Sequence, residues 1–239
     1  MPDALQVRRE LWYRNTVISI WEMRKDLVEC ARRLAELGFM PATSGNLSVR
    51  LDSRRVLITP SGLPKAGLQP GQLDVIDMSG DCLECSLKPT SEWGLHLAVY
   101  RLRPDVSAVV HAHPPIATAF ACAGLELPSD IAAEVIVALK SIPLTSFFMP
   151  GSRLSDAEMP ADLAQAIRTR DAILLSNHGA ASFGTGPCRA GLSLAFENME
   201  ILEHYARICL AVHQLGRQKR LSPRDVSALL ELGGKYSRR

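Results

Sequence analysis

Val106-Ser-Ala-Val-Val-His-Ala-His-Pro-Pro115 holds both a structural and a chemical signal. Its β-branched first half reads as a buried strand, which the two prolines stop, since proline has no N–H to give a ladder. His111 and His113 stand two apart at the exit of that strand. That spacing turns two side chains to one face with Cα atoms ~6.6 Å apart, near enough for both imidazoles to reach a single ion. Taken alone, such a pair favours the ordinary reading, two half-exposed histidines on a strand surface.

Further along, Ala172 to Leu175 is a second apolar run, stopped by Asn177-His178-Gly179. His178 would add a third imidazole at a strand exit, matching a catalytic centre with three protein ligands and one open position. Towards the N-terminus, Leu47-Ser-Val49 and Val56-Leu-Ile58, separated by polar Asp52-Ser-Arg-Arg55, predict a hairpin. A third run spans Leu73 to Met78 and ends at Ser79-Gly80-Asp81. Pro89-Thr-Ser-Glu92 then leads into a helical pattern through Leu95, Ala98, Val99 and Leu102. Three- and four-residue apolar spacing predicts an amphipathic helix from Arg8 to Leu37, closed by Gly38. It also predicts a long helix through Leu192 to Val212, closed by Gly216, and a last helix opened by Ser222-Pro-Arg-Asp225. Strands inside and helices at both ends, without repeats, point to a layered α/β class with a mixed or mostly antiparallel sheet.

Composition narrows the function classes. The 239 residues carry 27 basic and 25 acidic side chains, and a net charge of +2 is too small a field for nucleic acid or an anionic membrane surface. No Gly/Ser/Pro-rich linker divides the chain, so residues 1–239 read as a single domain. The longest apolar run, Ile116 to Ala123, is far short of the ~20 residues that cross a bilayer. Nothing at the N-terminus resembles a signal peptide, and Cys30, Cys82, Cys85, Cys122, Cys188 and Cys209 read as reduced thiols rather than a disulfide framework. A cytoplasmic location is expected. Cys82-x-x-Cys85 lacks both the second pair of a structural zinc site and the context of a redox motif, and is set aside.

Ser44-Gly45-Asn46, Thr59-Pro60-Ser61-Gly62 and Thr90-Ser91 each present hydroxyls and free backbone N–H groups beside a strand or helix, groups able to wrap a phosphate. Singly, each is more often just a turn. No Walker-type or dinucleotide-type glycine loop occurs. Glu92 sits where a helix dipole favours an anion, and beside a metal it could move protons. His96 is expected to be a packed or hydrogen-bonded histidine, and His204 and His213 to be ordinary residues of the long helix.

Together, Thr43-Ser-Gly-Asn-Leu-Ser-Val-Arg50, Ile58-Thr-Pro-Ser-Gly62, Pro89-Thr-Ser-Glu-Trp93, Val110-His-Ala-His-Pro114 and Asn177-His-Gly179 resemble the class II aldolase/adducin family, with L-fuculose-1-phosphate aldolase as the nearest subgroup. The resemblance keeps its order from about Leu34 to the C-terminus. It implies a three-layer α/β/α sandwich around a central, mostly antiparallel sheet, and a homotetramer with active sites between subunits. It further implies a zinc ion on His111, His113 and His178, with Glu92 as displaceable fourth ligand and catalytic acid/base. The phosphate of a sugar substrate would lie against Gly45, Asn46, Ser61, Gly62, Thr90 and Ser91, and Tyr236 in the tail would be a proton donor.

The implied reaction is reversible cleavage of a ketose 1-phosphate to dihydroxyacetone phosphate and an aldehyde. Where the fuculose enzymes carry a second tyrosine, this chain has Ala132 in an apolar stretch, so a deoxy or methylthio substrate end is considered. Glu92 disfavours the epimerase branch, which carries aspartate there. A methylthioribulose-1-phosphate dehydratase and a sugar-acid phosphate decarboxylase stay open. So does a non-catalytic, adducin-like assembly domain, whose mark would be missing metal histidines.

Overall fold

The computed structural model describes residues 19–155 and 157–236, save the side chain of Tyr236. Its strands are β1 (Asn46–Arg50), β2 (Arg55–Ile58), β3 (Asp74–Asp77), β4 (Cys82–Glu84), β5 (Val106–Ala112), β6 (Leu144–Thr145), β7 (Ala172–Leu175) and β8 (Gly179–Thr185). They form one sheet in the order β4-β3-β2-β1-β5-β8-β7-β6. Each neighbouring pair is antiparallel except β6 and β7. The helices are α1 (Ile20–Glu36), α2 (Trp93–Leu102), α3 (Pro115–Ala123), α4 (Ala133–Leu139), α5 (Ala161–Thr169), α6 (Cys188–Gln214) and α7 (Pro223–Tyr236).

Period-two alternation divides the strand side chains between two cores. Leu47, Val49, Leu57, Val110 and Leu174 pack under α1, α3, α4 and α6, whereas Val56, Ile58, Val109, Ile173 and Phe183 pack under α2 and α5. The result is the expected α/β/α layering, with helices between the strands as well as at the ends. A register shift between Val106 and Ala108 resets the alternation on β5. From there His111 shares parity with Val109, which puts its ring on the α2 side of the sheet.

Helix α1 is shorter than the expected Arg8–Leu37. Ser19 is extended, at φ −64° and ψ 149°, and its hydroxyl accepts from Glu22 N while Glu22 reaches back to Ser19 N. This capping box starts the helix at Ile20 and satisfies two end donors reciprocally. Residues 8–18 of the expected helix lie outside the described residues. The reduced state expected for all six cysteines is also corrected. The short β4 segment brings the Cα atoms of Cys82 and Cys85 to 5.9 Å, within bridging range, and the two form a disulfide. Cys30, Cys122, Cys188 and Cys209 are free.

The apolar run Ile116–Ala123 is helix α3, with Pro115 at its first position, where a missing N–H costs nothing. Its N-cap, Pro114, has no capping side chain. Instead Glu203 of α6, 1% exposed, accepts from Ala117 N at 2.9 Å and Ile116 N at 3.1 Å, and receives Arg207 Nε at 2.9 Å. A carboxylate is well placed against the positive end of the helix. Glu203→Ala is expected to cost about 3 kcal/mol by orphaning those donors. Urea unfolding measures it, and a cost under about 0.5 kcal/mol would show that the cap contributes nothing.

Candidate active site

Strand pairing assembles the site. β5 and β8 pair through His111 and Ala181, and β1 and β5 pair through Asn46 and His111. His178 sits in the turn between β7 and β8, and Glu92 is the N-cap of α2. His111, His113 and His178, distant in sequence, therefore offer ligand atoms all within 4.8 Å of one another. Their ring centroids are 4.6 to 5.1 Å apart.

Each ring is held differently. His111 is fully buried, and its Nδ1–H donates to Ala180 O at 2.9 Å, which leaves the Nε2 lone pair facing the cluster. His113 is anchored by its backbone N–H to Phe39 O at 2.8 Å. Gly179 makes room: a Cβ there would lie 2.6 Å from both Ala112 O and His113 Cδ2. Gly179→Ala is thus expected to push the His113 ring off position and weaken metal binding about 10- to 100-fold, as read by competition with a chromogenic chelator. Unchanged affinity would show that the ring has freedom that the packing denies it.

Glu92 closes the cluster, with Oε2 3.3 Å from His111 Nε2 and Oε1 3.2 Å from His178 Nε2. His113 Nε2 is 3.2 Å from His111 Nε2. Lone pairs of imidazole and carboxylate converge here, and His178 Nδ1 is buried without a partner among the described residues. A divalent cation is what such a donor set fits, three imidazole nitrogens and one carboxylate suiting a borderline ion. Burial, followed by the charges of neighbouring groups, holds His113 and His178 down at about 4, so both are neutral and able to ligate at pH 7. Burial would raise the Glu92 carboxyl, but His111, His178 and the Asn46 amide outweigh it and keep the group ionised.

A chain of side chains behind Glu92 fixes its orientation. Asn46 Nδ2 donates to Glu92 Oε2 at 2.7 Å, and Asn46 Oδ1 lies 2.5 Å from His96 Nε2. His96 Nδ1 is 2.7 Å from Ser48 Oγ, itself 2.7 Å from the Tyr100 hydroxyl. Burial holds His96 at about 3, so it is neutral, with Nε2–H donating to Asn46 and Nδ1 accepting from Ser48. The sequence reading of His96 as a hydrogen-bonded histidine is borne out. Its partners were not legible, since β1 and α2 meet only in the fold.

The three turns also meet. Thr90 N donates to Thr59 O at 3.1 Å and Ser61 N to Lys88 O at 2.8 Å, while Leu47 N donates to Thr59 Oγ1 at 3.2 Å. These bonds set residues 44–46, 59–62 and 90–92 side by side next to Glu92. Gly45 has φ +71°, and a Cβ on it would lie 3.0 Å from His111 O. Ser61, Gly62 and Ser91 are exposed, and Thr90 is buried with Oγ1 accepting from Glu92 N at 3.4 Å. Tyr236 ends α7, which packs on α4, but its side chain is not described. Ala132 caps α4 over a groove of about 590 Å³ and is not part of the histidine cluster. His204 and His213 are exposed on α6, as expected.

A layered α/β sheet here carries three histidines and one carboxylate at its strand ends, a set that could hold a divalent metal. Residues 25–210 match the family model for the class II aldolase and adducin N-terminal domain, and the chain belongs to that family. The 5-methylthioribulose-1-phosphate/5-deoxyribulose-1-phosphate aldolase of Rhodospirillum rubrum is 36% identical over 190 residues, 80% of this chain and 82% of that protein. The 3-oxo-tetronate 4-phosphate decarboxylase of Escherichia coli K12 is 32% identical over 190 residues, 78% and 85% of the two chains. A solved L-fuculose 1-phosphate aldolase superposes with a TM-score of 0.77 at 28% identity, over 90% of this chain and 96% of the other. Its fold is the one described here. Aldolases and decarboxylases alike are lyases, and this chain is a member of that lyase family.

Proposed function

We propose that the protein is a zinc-dependent aldolase, built as one domain over residues 1–239, that reversibly cleaves a ketose 1-phosphate to dihydroxyacetone phosphate and an aldehyde. The observation that carries this reading is the convergence of His111, His113 and His178 with Glu92 against them. A deoxy or methylthio pentulose 1-phosphate is the favoured substrate, supported by the Rhodospirillum rubrum relative. Intact metal histidines speak against the adducin-like assembly role.

The zinc ion, when bound, supplies a Lewis acid for the oxygens beside the bond that breaks. Glu92 delivers a proton to the carbon released by cleavage and removes it in the synthetic direction. The Asn46 amide keeps that carboxylate aimed. The turns at Gly45, Asn46, Ser61, Gly62, Thr90 and Ser91 bind the phosphate, and so hold the reacting carbon in place. In the synthetic direction Tyr236 protonates the aldehyde oxygen and in cleavage it takes that proton back; the resemblance of the tail supports that role.

The protein is further proposed to be a cytoplasmic homotetramer. An exposed apolar groove of about 610 Å³ between α3 and α6, lined by Ile116, Phe120, Leu125, Ile131, Leu210 and Val212, supports association. No helix among the described residues is long and apolar enough to cross a membrane.

The zinc-loaded protein is to be tested on 5-deoxyribulose 1-phosphate, 5-methylthioribulose 1-phosphate, fuculose 1-phosphate and 3-oxo-tetronate 4-phosphate. Release of dihydroxyacetone phosphate from one of the first two is expected. Carbon dioxide from the fourth, with no cleavage of the others, would establish the decarboxylase reading that the Escherichia coli relative favours. Loss of water alone would establish the dehydratase.

A further inference from the structure

Lys65 opens a short 3-10 turn, Lys65–Gly67, yet only 1% of it is exposed. Its Nζ donates to Leu63 O at 2.9 Å and to Thr43 O at 3.1 Å. Those carbonyls flank two of the three turns next to Glu92: Thr43 immediately precedes Ser44-Gly45-Asn46, and Leu63 immediately follows Ser61-Gly62. The peptide after Thr43 is held at both ends, its carbonyl on the ammonium and its Ser44 N–H on Pro41 O at 3.0 Å. One side chain thus ties two turns together and polarises a peptide of the first.

None of the ion pairs among the described residues includes Lys65. Burial pulls its ammonium down to about 8, with Glu92 as the opposing charge, and the Glu92 oxygens are already engaged by His111, His178 and Asn46. Burying an ammonium without a counter-ion costs several kcal/mol, a cost that a bound anion would offset. A scaffold needing only to join two turns would do so more cheaply with an uncharged donor.

We propose that Lys65 is the buried counter-charge of the phosphate subsite, a positioning residue that ties residues 43–46 to residues 61–63 and balances the dianion of a phosphate monoester bound there. The inference rests on the reading of those turns as the phosphate site.

The test uses the full-length, zinc-loaded protein and the variants Lys65→Met, Lys65→Gln and Lys65→Arg, titrated calorimetrically with inorganic phosphate. Zinc content and circular dichroism serve as controls for folding. Lys65→Met and Lys65→Gln are expected to bind phosphate at least about tenfold more weakly, and Lys65→Arg to stay within about threefold of the parent. A second measurement follows solvent deuterium exchange into dihydroxyacetone phosphate. Its KM should rise in Lys65→Gln while exchange at saturation changes far less, a split that a general folding defect would not produce.

Parent-like phosphate affinity in Lys65→Gln would overturn the role of the charge and leave only the tie between turns. A parent protein that binds phosphate while none of the variants differs from it would overturn the inference and spare the phosphate reading. A parent that binds neither phosphate nor dihydroxyacetone phosphate would overturn both. If Lys65→Met does not fold, the Gln and Arg variants carry the comparison.

Discussion

His111→Ala protein is expected to lose its metal and its activity together. His111 is fully buried on β5, its Nδ1 is committed to Ala180 O, and its Nε2 lies within 3.3 Å of both His113 Nε2 and Glu92 Oε2. No other side chain among those described can replace it at the junction. Disturbing a partner behind a ligand already costs 10- to 100-fold in affinity, and deleting the ligand should exceed that. Lewis-acid stabilisation is worth several kcal/mol at ~1.4 kcal/mol per tenfold, so cleavage should fall by about three orders of magnitude or more. Metal analysis after dialysis and initial rates measure the two losses. His204→Ala, on the exposed side of α6, is the matched control and should retain both. An alanine variant at His111 that kept full metal and full rate would mean that the ion, if any, binds elsewhere.

Legibility from sequence varied with what determined each element. β7 was read residue for residue, Ala172 to Leu175, because a buried apolar run ended by Asn177-His-Gly179 has only one convenient interpretation. β8 was not read at all. Gly179-Ala-Ala-Ser-Phe-Gly-Thr185 has little β propensity, yet it is an interior strand of the sheet, between β5 and β7. Its small residues answer to packing: a Cβ on Gly184 would lie 1.8 Å from Gly191 O, so α6 rests directly on this strand. Tertiary approach overrode local preference, as it often does for strands.

The start of α1 was misplaced for a different reason. Apolar periodicity continued upstream of Ser19, and it alone set the expected start, although the sequence also holds Ser19-x-x-Glu22, the capping box that the fold uses. In the site, the three histidines and Glu92 were picked out by the joint occurrence of the family-like motifs, since His-x-His, a lone His178 and a first-turn glutamate each favour an ordinary role when read singly. Glu203 and Lys65 were not, because each reaches at least one backbone group far along the chain, 87 residues away for Glu203 and 22 for Lys65, and a lone glutamate or lysine carries no motif. Cys82 and Cys85 were dismissed by context, whereas a three-residue strand brings their Cα atoms close enough to bond.

Glu92→Gln should separate metal binding from proton transfer. Gln keeps the length of the side chain and an oxygen to accept from Asn46 Nδ2, so the cluster should keep its geometry and hold metal within about tenfold of the parent affinity, well short of a lost imidazole. It cannot take up a proton at that oxygen. A positioned general acid/base contributes about 10²- to 10⁴-fold, and solvent exchange of the C–H proton of dihydroxyacetone phosphate should fall by that factor. The chain behind Glu92 offers no substitute. His96 is held neutral and fully buried, and its Nε2–H is spent on Asn46, so Tyr100, Ser48, His96 and Asn46 can aim the carboxylate but cannot accept its proton. Breaking that chain with His96→Leu should therefore slow exchange less than Glu92→Gln does, and mass spectrometry of deuterium uptake compares the two. Equal losses would place the proton acceptor in the chain itself, and full exchange in the Gln variant would remove Glu92 from the chemistry.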